Sequence, residues 1–394
     1  MAYNILFITP WFPSSPLDGK YNYILHGIEA LVRSGNKVSV LVTQPWMPNF
    51  FGLMHPAWKR PQLQVDDFDP ALNIHLRQYF SIPRYYLHQF SGQLHQFSVA
   101  GSIRQLIRAH DIQLIHAHTE QAGFSAASIA KEFKIPSVLT LHGIDTSPHA
   151  LNTVAKQWHL RNILCGADRV VLVGKPLHAY FASIAGCDDH FRVVPNGFYL
   201  PAHLLSSTRK SCDQLLRVIS VSNLQEGKGI DLAIKALHHL TISGYNGWTY
   251  TIVGDGPELD PLKNIVENLG LTERVFFKGW LHHDQALQLL AEADIFLLPS
   301  YREAFGVAYL EAMAMGLLTI GVQGQGPEAF ISHGETGYLV PPQDTEAIFR
   351  VLRSAIEDWD NALRISAMGR EHARNNFTWE KYAEKLKMVY SEVV

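Results

Sequence analysis

Short, nearly unbroken apolar runs, separated by stretches with helical spacing, recur from one end of the chain to the other. In the first half they are Asn4–Thr9 (NILFIT), Lys37–Thr43 (KVSVLVT), Ile112–His116 (IQLIH), Ser137–Leu141 (SVLTL) and Arg169–Val173 (RVVLV). Between the first two, Ile24, Ile28, Leu31 and Val32 share one helical face and Gly35 ends the stretch. Runs this short and this rich in β-branched residues are strands covered on both faces. Strands that alternate with helices form parallel βαβ sheets. The pattern breaks over Phe198–Gln214, where Ser206 to Ser211 are all polar and no apolar period survives. It restarts at Leu216–Ser222 (LRVISVS) and continues through Tyr250–Val253, Arg274–Phe277, Asp294–Leu298 and Leu317–Val322. The expected fold class is α/β, with two Rossmann-like, doubly wound domains. Residues 1–197 form the first and 215–376 the second, with 198–214 as the linker. The last stretch is an amphipathic helix with Tyr382, Leu386, Val389 and Tyr390 on one face.

The length of 394 residues suits two to three domains of about 100–200 residues each. With 47% hydrophobic and 18% charged residues, disorder is excluded as the dominant state. Three cysteines, Cys165, Cys187 and Cys212, are too few for a disulfide scaffold and suit a reducing compartment. No apolar run approaches the roughly 18–20 residues of a membrane span. The first residues lack a basic segment and read as a strand rather than a signal peptide. The net charge of −3 argues against nucleic acid as a main ligand, but it is unevenly spread. Residues 1–195 hold 16 Lys and Arg against 12 Asp and Glu, whereas residues 196–394 hold 17 against 24. A basic first half and an acidic second half point to domains with different partners.

The segment Asp294–Gly316 (DIFLLPSYREAFGVAYLEAMAMG) carries the strongest chemical signal. A strand ends at Pro299-Ser300, a loop holds Arg302 and Glu303, and a helix begins near Phe305-Gly306 and stops at Gly316. A helix start beyond the carboxyl end of a parallel strand is where open α/β sheets bind ligands. The free N–H groups of Gly306, Val307 and Ala308 form an anion site there. Glu303 stands at its mouth, and Glu311 lies inside the helix, where a carboxylate can accept two hydroxyl hydrogen bonds. Taken alone, two glutamates eight residues apart also fit the polar face of an ordinary amphipathic helix.

The segment resembles the E-x(7)-E signature of retaining glycosyltransferases with the GT-B fold, especially glycosyltransferase family 4. Further matches follow in family order: Ser222-Asn223-Leu224 with Lys228-Gly229, Gly254–Pro257, Lys278-Gly279, Gly324–Glu328, Gly337–Pro341 and Phe377-Thr378-Trp379. In the first half, Thr140-Leu141-His142-Gly143 matches the histidine motif and Pro195-Asn196-Gly197 closes the domain. The resemblance implies two domains facing a cleft, an acceptor side in 1–197 and a nucleotide-sugar side in 215–376. Residues 377–394 are then a helix crossing back to the first domain.

It also implies transfer of a hexose from a UDP-sugar or GDP-mannose to a glycan or polyprenyl-linked acceptor, with retained configuration. The setting implied is surface polysaccharide or lipopolysaccharide biosynthesis, at a cytoplasmic location on the inner face of the cell membrane. No cofactor or metal is implied, because Lys228 and helix N–H groups meet the leaving diphosphate. Glu303, His142 and Lys228 are the implied catalytic residues. Donor contacts fall on Gly19, Asn223, Lys228, Gly279, Phe305, Gly306, Val307 and Glu311, with Glu311 on the ribose. One departure stands out: the family usually has Arg five residues before the phosphate-binding lysine, and here that residue is Asn223. A neutral amide cannot serve as a charge clamp, which leaves more to Lys228 or to Arg302. The loop Ser14–Lys20 also has one glycine, Gly19, where many relatives have two.

Other features carry weaker signals. His116 and His118 fall on one face of a strand and suggest a metal pair without an evident third ligand. Asp67-Phe68-Asp69 has the form of a D-x-D metal motif but stands before Pro70 in a polar stretch, as a loop does. Gly324–Ala329 satisfies G-x-G-x-x-A, a weak dinucleotide fingerprint in the wrong βα turn. It leaves a nicotinamide-dependent oxidoreductase as an alternative, and Asn223 leaves a non-catalytic sugar-nucleotide-binding protein. Met47–Pro61 interleaves Phe50, Phe51, Leu53, Met54 and Trp58 with Lys59 and Arg60. It reads either as a packed loop or as an acceptor or membrane-surface contact.

Overall fold

A computed structural model describes residues 2–16, 21–46, 63–80, 91–143, 154–205 and 215–394. They divide into two units, one made of Met1–Gly197 with Trp379–Val394 and the other of Phe198–Thr378. The chain leaves the first unit after Gly197 and returns to it at Trp379.

The first unit is built on seven strands: β1 Asn4–Thr9, β2 Lys37–Trp46, β3 Ile74–Phe80, β4 Leu114–His118, β5 Ser137–Leu141, β6 Arg169–Leu172 and β7 Phe191–Val193. Their order is β3-β2-β1-β4-β5-β6-β7, parallel throughout. The order reverses between β1 and β4, which marks the switch point of a doubly wound sheet. Ile5, Phe7, Val38, Val40, Leu114 and Val138 are almost fully buried in its core. The helix Asn22–Arg33 adds Ile24, Leu25, Ile28 and Leu31 to that core.

The C-terminal helix Trp379–Ser391 inserts Trp379, Tyr382, Leu386, Val389 and Tyr390 into the same core. Each such side chain contributes about 1.5–3 kcal/mol relative to exposure, so this helix is an integral layer of the first unit.

The second unit has six parallel strands: β8 Leu216–Val221, β9 Trp248–Val253, β10 Val275–Gly279, β11 Ile295–Leu297, β12 Leu318–Val322 and β13 Tyr338–Val340. Their order is β10-β9-β8-β11-β12-β13, with the reversal between β8 and β11. The helix Val307–Met315 is buried on nearly every side, Tyr309 to Met315 without a break.

Three strands are absent from the apolar pattern. β3 (IHLRQYF) is an edge strand with Leu76 41% exposed, and His75, Arg77 and Gln78 interrupt its apolar run. β7 and β13 are only three residues long. The run expected at 112–116 is shifted to 114–118. Asp111 takes a left-handed φ of 47°, and the Ile112 N–H donates to the Ile107 carbonyl, so these residues finish the preceding helix. The stretch 198–214, expected as a plain linker, contains the one-turn helix Ala202–Leu205, and residues 206–214 lie outside the described residues.

Asp69 of the D-x-D triplet accepts from the Ala71 N–H and caps the 3-10 turn Pro70–Leu72. That is a local structural role. Among the described residues no helix is long and apolar enough to cross a membrane.

Candidate active site

In the second unit, the loops leaving β8 and β11 meet on either side of the switch point. After β8 the chain passes Ser222, Asn223 and Leu224, then turns through Gly227, Lys228 and Gly229 into the helix Ile230–Ile242. Gly227 and Gly229 take φ of 97° and 69°, the left-handed region that glycine enters without strain. At Gly229 there is no room for a side chain, and at Gly227 one would have to displace the exposed Arg302 side chain. A Cβ on Gly229 would lie 2.2 Å from the Pro299 carbonyl oxygen, and one on Gly227 would lie 2.9 Å from Arg302 Cδ. The Tyr301 N–H donates to the Gly227 carbonyl at 2.9 Å, tying the two loops together. This close packing sets Lys228 beside Glu303. Lys228 Nζ donates to Glu303 Oε2 at 2.9 Å, with the side chains 19% and 13% exposed.

Glu303 is fixed from the other side as well. Its N–H donates to Gln325 Oε1 and its carbonyl accepts from the Gly326 N–H, each at 2.9 Å. The glycine-rich stretch after β12 is therefore a brace for the Glu303 loop. Gly326 packs so tightly that a Cβ would lie 2.4 Å from Phe305 Cα.

The helix Val307–Met315 starts directly behind Glu303, with Gly306 as its N-cap at φ 87°. As its first residues, Val307 and Ala308 present N–H groups that have no intrahelical acceptor. Phe305 is 3% exposed, with its ring in the core against Phe330, centroids 5.4 Å apart, and its main chain packed against Gly326, so its part in the site is to hold the loop. Asn223 is exposed at the end of β8, and Gly279 ends β10 at φ 66° with open space where a Cβ would be. Arg302 points to Glu226 at 3.8 Å, a surface pair 64% and 73% exposed.

Glu311 is the only acid in its helix and is 6% exposed. A carboxylate so far from water needs a partner. It has one in His283, the first residue of the helix His283–Glu292, whose Nε2 donates to Glu311 Oε1 at 2.7 Å. Burial lowers the His283 pKa, but the hydrogen bond and charge of Glu311, with the charge of Asp284, outweigh it and the net shift is upward. The spacing around Glu311 gives no hint of His283, which comes from a different helix 28 residues earlier.

The first unit has a histidine cluster at the carboxyl ends of β4 and β5. His118 and His142 stack with centroids 5.0 Å apart, and His118 Nδ1 lies 2.7 Å from His142 Nε2. One ring must donate and the other accept. His116 is fixed on both nitrogens, Nδ1 to the Tyr390 hydroxyl and Nε2 to Thr140 Oγ1, each at 2.6 Å. Both His116 and His118 lie against Phe7, as expected for residues two apart on a strand. Burial pushes the pKa of His116 and of His142 down to about 3 and that of His118 well below 6.5, so the cluster is neutral near pH 7. Among the described residues no group of three or more His, Cys, Asp or Glu is arranged to hold a metal ion. Gly19 and the aromatic stretch Met47–Pro61 lie outside the described residues.

Two doubly wound parallel sheets, with a lysine–glutamate pair and a helix N-terminus at the switch point of the second, define an α/β protein of the GT-B class. Residues 18–200 match the family model described as Glycosyltransferase Family 4, and residues 210–372 match the one described as Glycosyl transferases group 1. The chain is 28% identical over 285 residues to a glycogen synthase of Mycobacterium tuberculosis, covering 70% of this chain and 68% of the relative. It is 25% identical over 338 residues to the N-acetyl-alpha-D-glucosaminyl L-malate synthase of Bacillus anthracis, covering 79% and 85%. Among solved structures, Anabaena HepE in complex with UDP superimposes with a TM-score of 0.73 at 22% identity, covering 99% of this chain and 100% of that one. HepE has also been solved with UDP-glucose. The chain belongs to the GT-B glycosyltransferases of group 1 and family 4.

Proposed function

We propose that the chain transfers a hexose from a nucleotide-diphospho sugar to a hydroxyl of a glycan or lipid-linked acceptor, with retention at the anomeric carbon. The observation that carries this reading is the Lys228–Glu303 pair, set beside the N-terminus of the helix Val307–Met315 at the switch point of the second sheet. Cleavage of the sugar–phosphate bond leaves a diphosphate anion and an oxocarbenium-like sugar. Lys228 and the N–H groups of Gly306, Val307 and Ala308 stabilise the anion. Glu303 takes the sugar hydroxyls and opposes the positive charge that develops on the ring. Glu311 takes the ribose.

Glu303 and Glu311 are held by different bases, Lys228 and His283, and this division supports binding roles for both rather than a nucleophile and acid working as a pair. His142, neutral through burial, serves as a hydrogen-bonding group toward the sugar or phosphate and not as a cation. Because Lys228 and main-chain N–H groups meet the diphosphate, activity should persist in EDTA.

UDP-hexoses come first as donors, before GDP-mannose, a ranking supported by the UDP-glucose held by HepE. A polysaccharide or lipopolysaccharide pathway would supply the acceptor. Met47–Pro61 would face that acceptor or a membrane surface. The test is release of nucleoside diphosphate from a panel of UDP- and GDP-sugars, with the anomeric configuration of the product read by NMR. Release from at least one donor, with retention, supports the proposal. An inverted product, or no release from any donor, removes it.

A further inference from the structure

Glu311 is a carboxylate on an otherwise apolar helix, and the residue that receives it comes from outside the E-x(7)-E segment. We infer that His283 is a positioning residue that presents Glu311 to a vicinal diol and thereby sets the preference of the site for ribonucleotides over deoxyribonucleotides. The inference rests on the ribose role proposed for Glu311.

The geometry is specific. Nε2 of His283 lies 2.7 Å from Oε1 of Glu311, and the two side chains are 33% and 8% exposed. His283 itself is held in place. It is the first residue of its helix, and the preceding His282 donates its N–H to Gln285 Oε1 while its carbonyl accepts from the Ala286 N–H. The imidazole is thus mounted on a capped helix start and not on a free loop.

The terminal torsion of a glutamate is broad and nearly two-fold, so an unheld carboxylate samples many planes. A ribose presents two neighbouring hydroxyls and needs one carboxylate plane to receive both. A carboxylate has about four lone-pair sites, and His283 fills one of them on Oε1. The remaining sites on both oxygens stay available, now in a fixed plane. Ordering Glu311 in advance removes an entropic cost that binding would otherwise carry. The nearby charges are Glu311 from the facing helix and Asp284 from its own. Both favour the protonated ring, against the burial that opposes it, which strengthens the hydrogen bond that His283 donates. A 2′-deoxyribose offers only one of the two hydroxyls and cannot use the arrangement.

Calorimetric titration of UDP, 2′-deoxy-UDP, GDP and 2′-deoxy-GDP tests this with wild type, His283→Ala, His283→Gln and Glu311→Ala, each checked for folding by its melting curve. Wild type should favour the ribo form of its base by about tenfold or more, the scale of one hydrogen bond to a charged group. His283→Ala should lose most of that ratio, and His283→Gln, which keeps an N–H donor, should retain much of it. An unchanged ratio in a folded His283→Ala, or tighter binding of the ribonucleotide, overturns the positioning role. Rescue by glutamine equal to that by alanine overturns it too. If Glu311→Ala leaves the ratio unchanged, the ribose assignment of Glu311 is what fails. If wild type binds neither UDP nor GDP, the proposed donor class fails and this inference with it.

Discussion

Nζ of Lys228 lies 2.9 Å from Oε2 of Glu303, so the cation proposed to meet the diphosphate and the carboxylate proposed to meet the sugar form one ion pair. The two residues are 75 positions apart and belong to loops leaving β8 and β11. Each neutralises the other in a mostly buried setting, and a donor that engages both must take over their hydrogen bonds.

Lys228→Ala should therefore raise the donor Michaelis constant and lower turnover together, because the charge meets the diphosphate in the ground state and meets it more strongly in the transition state, where negative charge builds on the leaving group. It should also destabilise the second unit by roughly 1–3 kcal/mol, since Glu303 is left without its partner. The double variant Lys228→Met/Glu303→Gln removes both charges and should recover most of that stability while donor binding stays lost. Melting curves and donor titrations on both variants separate the two effects. Asn223→Arg, at an exposed position on the same loop, should tighten UDP or GDP binding. Unchanged donor kinetics in Lys228→Ala contradict the phosphate assignment.

The turn that aims Lys228 depends on Gly229. At φ 69°, with a prospective Cβ 2.2 Å from the Pro299 carbonyl oxygen, alanine there meets both backbone strain and a main-chain collision. The left-handed conformation alone costs about 1–2 kcal/mol, and the collision adds to it. Gly244→Ala is the matched control, with φ 92° and nothing within 4 Å of the added carbon. Gly229→Ala should lower the unfolding midpoint more than Gly244→Ala and should alone weaken donor binding. Equal midpoints and equal donor affinity in the two variants contradict this account of the turn.

The buried histidines of the first unit make its stability depend on pH. His116 and His142 are held down to about 3 and His95 to about 4, all by burial. Below pH 6.5 the unfolded chain takes up protons that these folded rings refuse. Their contribution is fully present above 6.5 and is lost as pH falls toward the folded values. Each group supplies a slope of about 1.4 kcal/mol per pH unit in that window. His283, raised by Glu311 and Asp284, works in the opposite sense but belongs to the second unit. Hydrogen exchange over residues 114–141, corrected for intrinsic rates, should show weaker protection at pH 5 than at pH 7. Equal or stronger protection at pH 5 contradicts the burial argument.

Most of the fold was legible because buried parallel strands write themselves as apolar runs. β1, β5 and β8 are such runs, and Gly306 and Gly316 mark both ends of the key helix. β3 was hidden by its edge position and half-polar sequence, and β7 and β13 by their length. In the candidate site, Lys228, Glu303 and Glu311 could be singled out through the resemblance of their segments to a known family, since two glutamates eight apart also fit an ordinary helix. Their partners could not. His283 reaches Glu311 from another helix, and Tyr390 reaches His116 from 274 residues away. Such pairings are fixed by tertiary packing and leave no local periodicity.

The two glutamates are proposed to divide the donor between them, Glu303 at the reacting sugar and Glu311 at the ribose. Glu303→Gln keeps the shape but loses the charge that opposes a cationic sugar, and turnover should fall about 10²–10³-fold with a modest change in donor affinity. Glu311→Gln should raise the donor Michaelis constant by an amount equivalent to about 1–3 kcal/mol with turnover largely kept, because a ribose contact exists equally in both states. Steady-state kinetics of both folded variants with the preferred donor decide the matter. The account predicts a turnover defect in Glu303→Gln and an affinity defect in Glu311→Gln; the reverse pattern, with Glu311→Gln impaired in turnover alone and Glu303→Gln in donor affinity alone, contradicts it.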